Sequence, residues 1–199
     1  MQQTISNDTQ SRLLEAAASL MWERSFQATS VDELCQRAEA KKGSFYHFFA
    51  SKTDLAIAAM ERAWAQINER LFKPVFSSDA SGLDQLQALV DKVHAFQVQT
   101  TEEKGEYLGC PFGNLGQEMA RQDERLRQTL DKILHEHCTY IEAALDKARQ
   151  DGDIPPGNNR QRAQRILAML EGGMLLSKVS NDPEIFRNVG VTLRAIAST

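Results

Sequence analysis

Two helix-start signals of the same form bracket one short stretch of this chain: Ser30 is followed three residues later by Glu33, and Ser51 by Asp54. In such a capping box the hydroxyl and the carboxylate reciprocally satisfy N–H groups that the first helical turn leaves orphaned. What lies between must therefore be brief. Leu34, Cys35 and Ala38 supply a small apolar face, and Lys41-Lys42-Gly43-Ser44-Phe45-Tyr46-His47-Phe48-Phe49 then interleaves basic, small and aromatic residues. A short helix of that mixture can bury Phe45, Phe48 and Phe49 while presenting Lys42, Ser44, Tyr46 and His47 outward. Thr29 to Lys52 thus reads as two short helices, a tight turn and the capped start of a third. That is a helix-turn-helix, whose second helix enters the DNA major groove. An ordinary helical hairpin with two lysines in a solvated turn is the alternative these residues leave open.

Elsewhere apolar residues recur at three-to-four spacing, and no strand alternation occurs. Residues 11–25 pattern as a helix on Leu13, Leu14, Ala17, Leu20 and Met21, closed by Trp22 and Phe26. Residues 51–72 carry a stripe of Leu55, Ala59, Ala63, Ile67 and Leu71, with a stop expected at Lys73-Pro74. Ser81 and Asp84 cap a further helix, residues 123–150 form a long one, and residues 151–157 read as a linker. Two last helices, near 160–180 and 183–197, complete the chain, the second opened by Asp182 with Pro183 at its first position. The expected fold is all-α with about nine helices. A three-helix domain at 1–50 precedes a larger effector-binding and dimerisation domain at 51–199.

Charge needs weighing against a DNA-binding reading, because the net value is −4. Residues 1–52 hold six basic and six acidic side chains, so the acidity lies wholly in the remainder. Phosphate attraction acts over about 8–10 Å, and the local cluster of Lys41, Lys42 and Lys52 matters more than the total. The absence of Lys or Arg before Arg12 predicts no basic minor-groove arm. No run of 18 apolar residues is present, so no membrane span is expected. Three widely spaced cysteines and a polar N-terminus lacking a secretory signal point to a reducing, cytoplasmic setting. His135 and His137 point to different sides of a helix and His94 stands alone, which predicts no metal site. No catalytic motif or cofactor loop occurs, so an enzyme is not expected.

Thr29-Ser30-Val31-Asp32-Glu33-Leu34, then Lys42 to Phe49, then Ser51-Lys52 resemble the DNA-binding domain of the TetR/AcrR family of bacterial transcriptional regulators, over roughly residues 10–56. The resemblance implies a homodimeric regulator, a repressor, that binds a palindromic double-stranded DNA operator and is released by a small-molecule effector. It implies that Lys42, Gly43 and Ser44 begin the recognition helix beside Lys41, with Gly43 allowing close backbone approach. Tyr46, His47 and Lys52 would then contact phosphates, and Ser30 would contribute through its helix N-terminus. Glu39-Ala40 departs from the family, which usually has glycine and an apolar residue there.

Residues 105–119 have the oddest composition, with four glycines and a proline. Their G-C-x-x-G-N-L stretch resembles one in a subset of TetR-like regulators, within the helix lining the effector cavity. One reading is a pocket lined by Phe96, Tyr107, Phe112 and Tyr140, in which Asn114 and Glu118 offer polar contacts to a mainly apolar ligand. A second makes Cys110 a reactive thiol for electrophiles or oxidants, with Lys178 as basic neighbour. A third leaves Cys110 merely packed, as Cys35 and Cys138 are expected to be. Gly172-Gly173 and Leu176, with Phe186, Val189 and Leu193 on the last helix, resemble the four-helix dimer interface of the family; a kink packed within the chain is the alternative. A helical ligand-binding protein without DNA binding is the other functional class.

Overall fold

The computed structural model describes residues 2–198, with side chains from residue 8 onward. Its order is α1 Gln2–Glu23, α2 Val31–Arg37, α3 Lys42–Phe48, α4 Lys52–Ile67, a π-helical turn Asn68–Phe72, α5 Lys73–Phe76, α6 Gly82–Lys104, α7 Pro111–Met119, α8 Glu124–Gln150, α9 Asn159–Ser180, α10 Pro183–Val191 and α11 Leu193–Ala197. Nine of the eleven α-helices run seven residues or more, and no strand occurs among the described residues. Two compact units result: Met1–Gln66 with Pro111–Ile133, and Ile67–Cys110 with Leu134–Thr199.

The first unit is built on α1. Its Leu13, Ala16, Ala17, Leu20 and Met21 are buried, and α2, α3 and α7 pack on it. The capping signals act as read. Ser30 Oγ accepts the Glu33 N–H at 3.1 Å while Glu33 Oε2 accepts the Ser30 N–H at 2.8 Å. Ser51 Oγ takes the Asp54 N–H at 3.1 Å, and Asp54 also receives Arg125 at 2.5 Å. The turn after α2 closes with Glu39 N–H on Gln36 O and Ala40 N–H on Cys35 O. This pairing needs a left-handed residue, and Glu39 adopts φ 50°. Glutamate fills a conformation that glycine holds without strain.

The second unit centres on an apolar core of α6, α8, α9 and α10 that includes Leu86, Val90, Ile141, Leu145, Ile166 and Phe186. Two glycines set helix spacing. A Cβ on Gly82 would lie 2.0 Å from Ala144 O, and one on Gly190 2.3 Å from a Val90 methyl. The 151–157 linker folds over Arg162, whose Nη1 donates to Pro155 O and to Asn159 Oδ1, both at 2.9 Å.

Two boundaries differ from the sequence expectation. The helical path does not stop at Lys73-Pro74; it widens into the π turn at Asn68–Phe72 and continues to Phe76. Pro74 is the second residue of α5, directly after the π turn, where the widened ladder accommodates the N–H that proline lacks. The closing helix expected over 183–197 breaks at Thr192, which ends α10 and precedes α11.

Candidate nucleic-acid interface and effector site

Helix α3 buries Phe45 completely and Phe49 nearly so, with Phe48 half-buried, while Lys41, Lys42, Gly43, Tyr46 and His47 are exposed. Ser44 is half-buried. Tyr46, 55% exposed, keeps its ring edge-on to Phe45 at 5.1 Å, which fixes its direction without covering it. A Cβ at Gly43 would meet nothing within 4 Å, so the backbone there is open to a large partner. Lys42 pairs with Asp32 at 2.8 Å, and that hydrogen bond raises its pKa. The pair is solvent-exposed and easily exchanged for a phosphate. Ser30 has its hydroxyl committed to the cap.

Lys52 is turned toward the chain's own loop. Its Nζ donates to Phe26 O at 2.8 Å and Thr29 O at 2.9 Å, over the Phe26 ring at 4.1 Å. Burial lowers its pKa, an effect the Glu118 carboxylate opposes. Glu118 grips the same loop from α7, accepting the Phe26 N–H at 2.9 Å and the Gln27 N–H at 2.7 Å. The loop that precedes α2 is therefore clasped by a cation on its carbonyls and an anion on its amides. Near it Phe112 is buried edge-on to Trp64, and Asn114 is half-buried on α7.

In the second unit, Tyr107 and Cys110 are buried, whereas Phe96 is 53% exposed and Lys178 is exposed. Tyr140 donates to Asn68 Oδ1 at 2.8 Å and packs with Phe72 and Phe76; His137 stacks on Phe72 at 4.8 Å. Burial holds the His137 pKa down to about 4. The sulfur of Cys110 meets an acid, Glu171, by hydrogen bond.

Comparison with known proteins decides the family. Residues 13–59 match "Bacterial regulatory proteins, tetR family", and residues 82–192 match "Tetracyclin repressor-like, C-terminal domain". The chain belongs to the TetR family. It is a DNA-binding transcriptional regulator, as its relatives are. It is 28% identical to the HTH-type transcriptional repressor NemR of Escherichia coli K12, over all of this chain and 98% of that one. The crystal structure of reduced E. coli NemR superposes with a TM-score of 0.79 over 94% of this chain and 96% of that one, at 28% identity. An uncharacterized HTH-type regulator of Lactococcus lactis is 26% identical, covering 91% of this chain and 89% of its own length. No described helix is long and apolar enough to cross a membrane.

On the helices where TetR proteins are expected to pair, the side chains divide in two. Phe186 and Leu193 are buried in the chain's own core, and a Cβ on Gly173 would touch Val189 and Phe186 at 3.3 and 3.4 Å. Gly173 thus serves a crossing of α9 with α10 within the chain. Gly172 has open space above it, and Leu176 is exposed. Leu175, Val179 and Val191 are exposed as well, and of these Val179 and Val191 were missed by sequence reasoning. Val179, the most exposed of them, marks an apolar face by following Leu175 and Leu176 at helical spacing. Gln97, Glu171 and Ser177 around Tyr107 and Cys110 were missed as well. An acid inside an apolar helix was the available signal for Glu171.

Proposed function

We propose that this TetR-family regulator is a cytoplasmic homodimeric repressor, with two α3 helices reading the halves of a palindromic operator. An effector bound in the 51–199 domain releases it from DNA, and residues 1–50 are the reading domain. The reading rests above all on α3, which offers Lys41, Lys42, Tyr46 and His47 beside an open Gly43. The name of NemR as a repressor supports the sign of regulation. Pairing uses the exposed apolar face of α9 and α10. Tyr46 and His47 meet phosphates, and Lys52 acts through the loop it holds rather than on DNA.

Release follows the chain. From Tyr107 and Cys110 it passes through Pro111 into α7, and Glu118 on α7 fastens the loop ahead of α2. An effector that moves the start of α7 shifts the equilibrium between operator-competent and incompetent dimers, and a few kcal/mol of preference suffices. Cys110 as a reactive thiol is the second reading, and the Glu171 carboxyl is one neighbour of its sulfur.

The test is fluorescence anisotropy on DNA from upstream of the protein's own gene, against scrambled DNA, across salt. Saturable preference for one palindrome, falling as salt rises, supports the reading. Equal weak binding to both DNAs refutes it for that operator. Tyr46→Ala should weaken specific binding by about tenfold, within the usual range for a lost contact, at unchanged melting temperature. Normal binding by that variant removes Tyr46 from the interface.

A further inference from the structure

The segment from Gly105 to Cys110 links α6 to α7 without regular structure and is fastened at both ends. Gly105 and Gly109 take φ 80° and 76°. The Tyr107 N–H donates to Asn181 Oδ1 at 2.7 Å, and Gln97 Nε2 donates to Gly109 O at 3.1 Å. Held in this way, Tyr107, Leu108 and Cys110 are buried. Around them stand Gln97 from α6, and Glu171 and Ser177 from α9. Tyr107 lies against Ser177, with Cys110 and Glu171 near enough to perturb it, and Cys110 is hydrogen-bonded to Glu171.

The polar accounts of this cluster do not close. Tyr107 Oη and Gln97 Oε1 are buried without a hydrogen-bond partner. Ser177 does not complete the phenol with a bond of good geometry, and its Oγ already accepts the Phe186 N–H at 2.9 Å. Glu171 is half-buried, burial raises its pKa, and no basic group contributes to its electrostatics or to those of Tyr107. Buried oxygens left without donors are costly, and a buried carboxylate without a cation more so. Around Tyr107 and Glu171 the cluster offers oxygen acceptors and an acid, and no guanidinium or ammonium acts on either group. Water would fill the hydrogen bonds but would bring no counter-charge. An alkyl- or arylammonium supplies N–H donors and the missing positive charge together.

We propose that Glu171, Tyr107 and Gln97 form the polar end of the effector site, and that this end binds the ammonium group of a primary amine. The proposal rests on the effector-released reading above. Glu171 provides the charge partner, while Tyr107 Oη and Gln97 Oε1 accept the remaining N–H bonds. The strap bearing Tyr107 leads directly into α7, so an occupant of this cluster acts on the segment that precedes the Glu118 clasp.

Isothermal titration calorimetry of the full chain, without DNA, tests it with three probes of one size: benzylammonium chloride, benzyl alcohol and sodium benzoate, at matched ionic strength. Benzylammonium should bind wild type most tightly and benzoate not at all. Glu171→Gln, near-isosteric, should weaken benzylammonium about tenfold or more, and Tyr107→Phe several-fold, with benzyl alcohol little changed. Should Glu171→Gln fail to fold, Tyr107→Phe decides. The proposal is overturned by preference for benzoate, by benzylammonium binding indifferent to both substitutions, or by no binding of benzylammonium to wild type. Operator release is read separately by anisotropy. Ammonium binding without release leaves the site standing and refutes its coupling to DNA; no ammonium binding by a wild type that still reads its operator overturns the site and leaves the regulator reading standing.

Discussion

The clasp at residues 26–29 makes a quantitative prediction. Glu118→Ala removes two hydrogen bonds to a carboxylate, from the part-buried Phe26 amide at 2.9 Å and the exposed Gln27 amide at 2.7 Å. Hydrogen bonds to charged groups contribute about 1.5–3 kcal/mol when shielded and a fraction of that in solvent. The expected loss is therefore about 2 kcal/mol, or roughly 4–8 °C in melting temperature for a chain of this size. The loss should be local as well as global. Lys52, drawn toward the same loop, loses the anion that offsets its burial, and the loop loosens from α7. Amide exchange should show Phe26 and Gln27 losing protection by about tenfold or more, each tenfold being about 1.4 kcal/mol, while α6 and α9 amides stay protected. Operator affinity should fall with it, because α2 and α3 hang from this loop. Glu118→Gln, which keeps one carbonyl acceptor, should lie between. Wild-type exchange at residues 26 and 27 in Glu118→Ala would refute the clasp and with it the route from α7 to the reading helix.

Other substitutions test separate parts of the argument. Glu39→Gly should stabilise by about 0.5–1 kcal/mol in urea denaturation, since relief of the left-handed strain exceeds glycine's entropy cost, while Glu39→Ala should gain nothing; equal behaviour of the two would remove the strain. His137 titrates near 6.5 when unfolded but is held down to about 4 in the fold. The unfolded chain thus binds the extra proton between those values, and stability is complete above about pH 6.5 and falls as pH drops toward 4. His137→Leu should flatten that window, and an unchanged slope would assign the acid sensitivity elsewhere. Val179→Asp, on the exposed apolar face, should give monomers by light scattering with the helix content retained; a persistent dimer would move the interface off this face.

Local features were legible because few residues decide them. The boxes at Ser30–Glu33 and Ser51–Asp54, with the caps at Ser81 and Asp182, each depend on side chains two to three residues away, and each forms. The burial of Phe45 and Phe49 against the exposure of Tyr46 and His47 follows equally from helical spacing. The π turn was not legible. Its stripe of Leu55, Ala59, Ala63 and Ile67 continues unbroken into the next turn, and an inserted residue shifts the register without changing the composition.

Side-chain roles escaped where the partner lies far along the chain. Glu118 shares a helical face with Asn114, and spacing alone lets it face a ligand as readily as the amides of Phe26 and Gln27, 92 and 91 residues earlier. Lys52 fits a phosphate contact by sequence, yet two carbonyls from the preceding loop take two of its three N–H donors. Periodicity likewise finds the apolar faces of α9 and α10 without saying which neighbour covers each. Phe186 and Leu193 go to the chain's own core, while Leu176 and Val179 remain outside. These long-range partners share a physical consequence. A loop held through its amides by an anion on one helix and through its carbonyls by a cation on another has two independent grips. Loosening either one changes how α2 and α3 are supported without touching the residues proposed to face DNA. Reading and release can then be altered by different substitutions, and Tyr46 and Glu118 are the positions at which that separation is measurable.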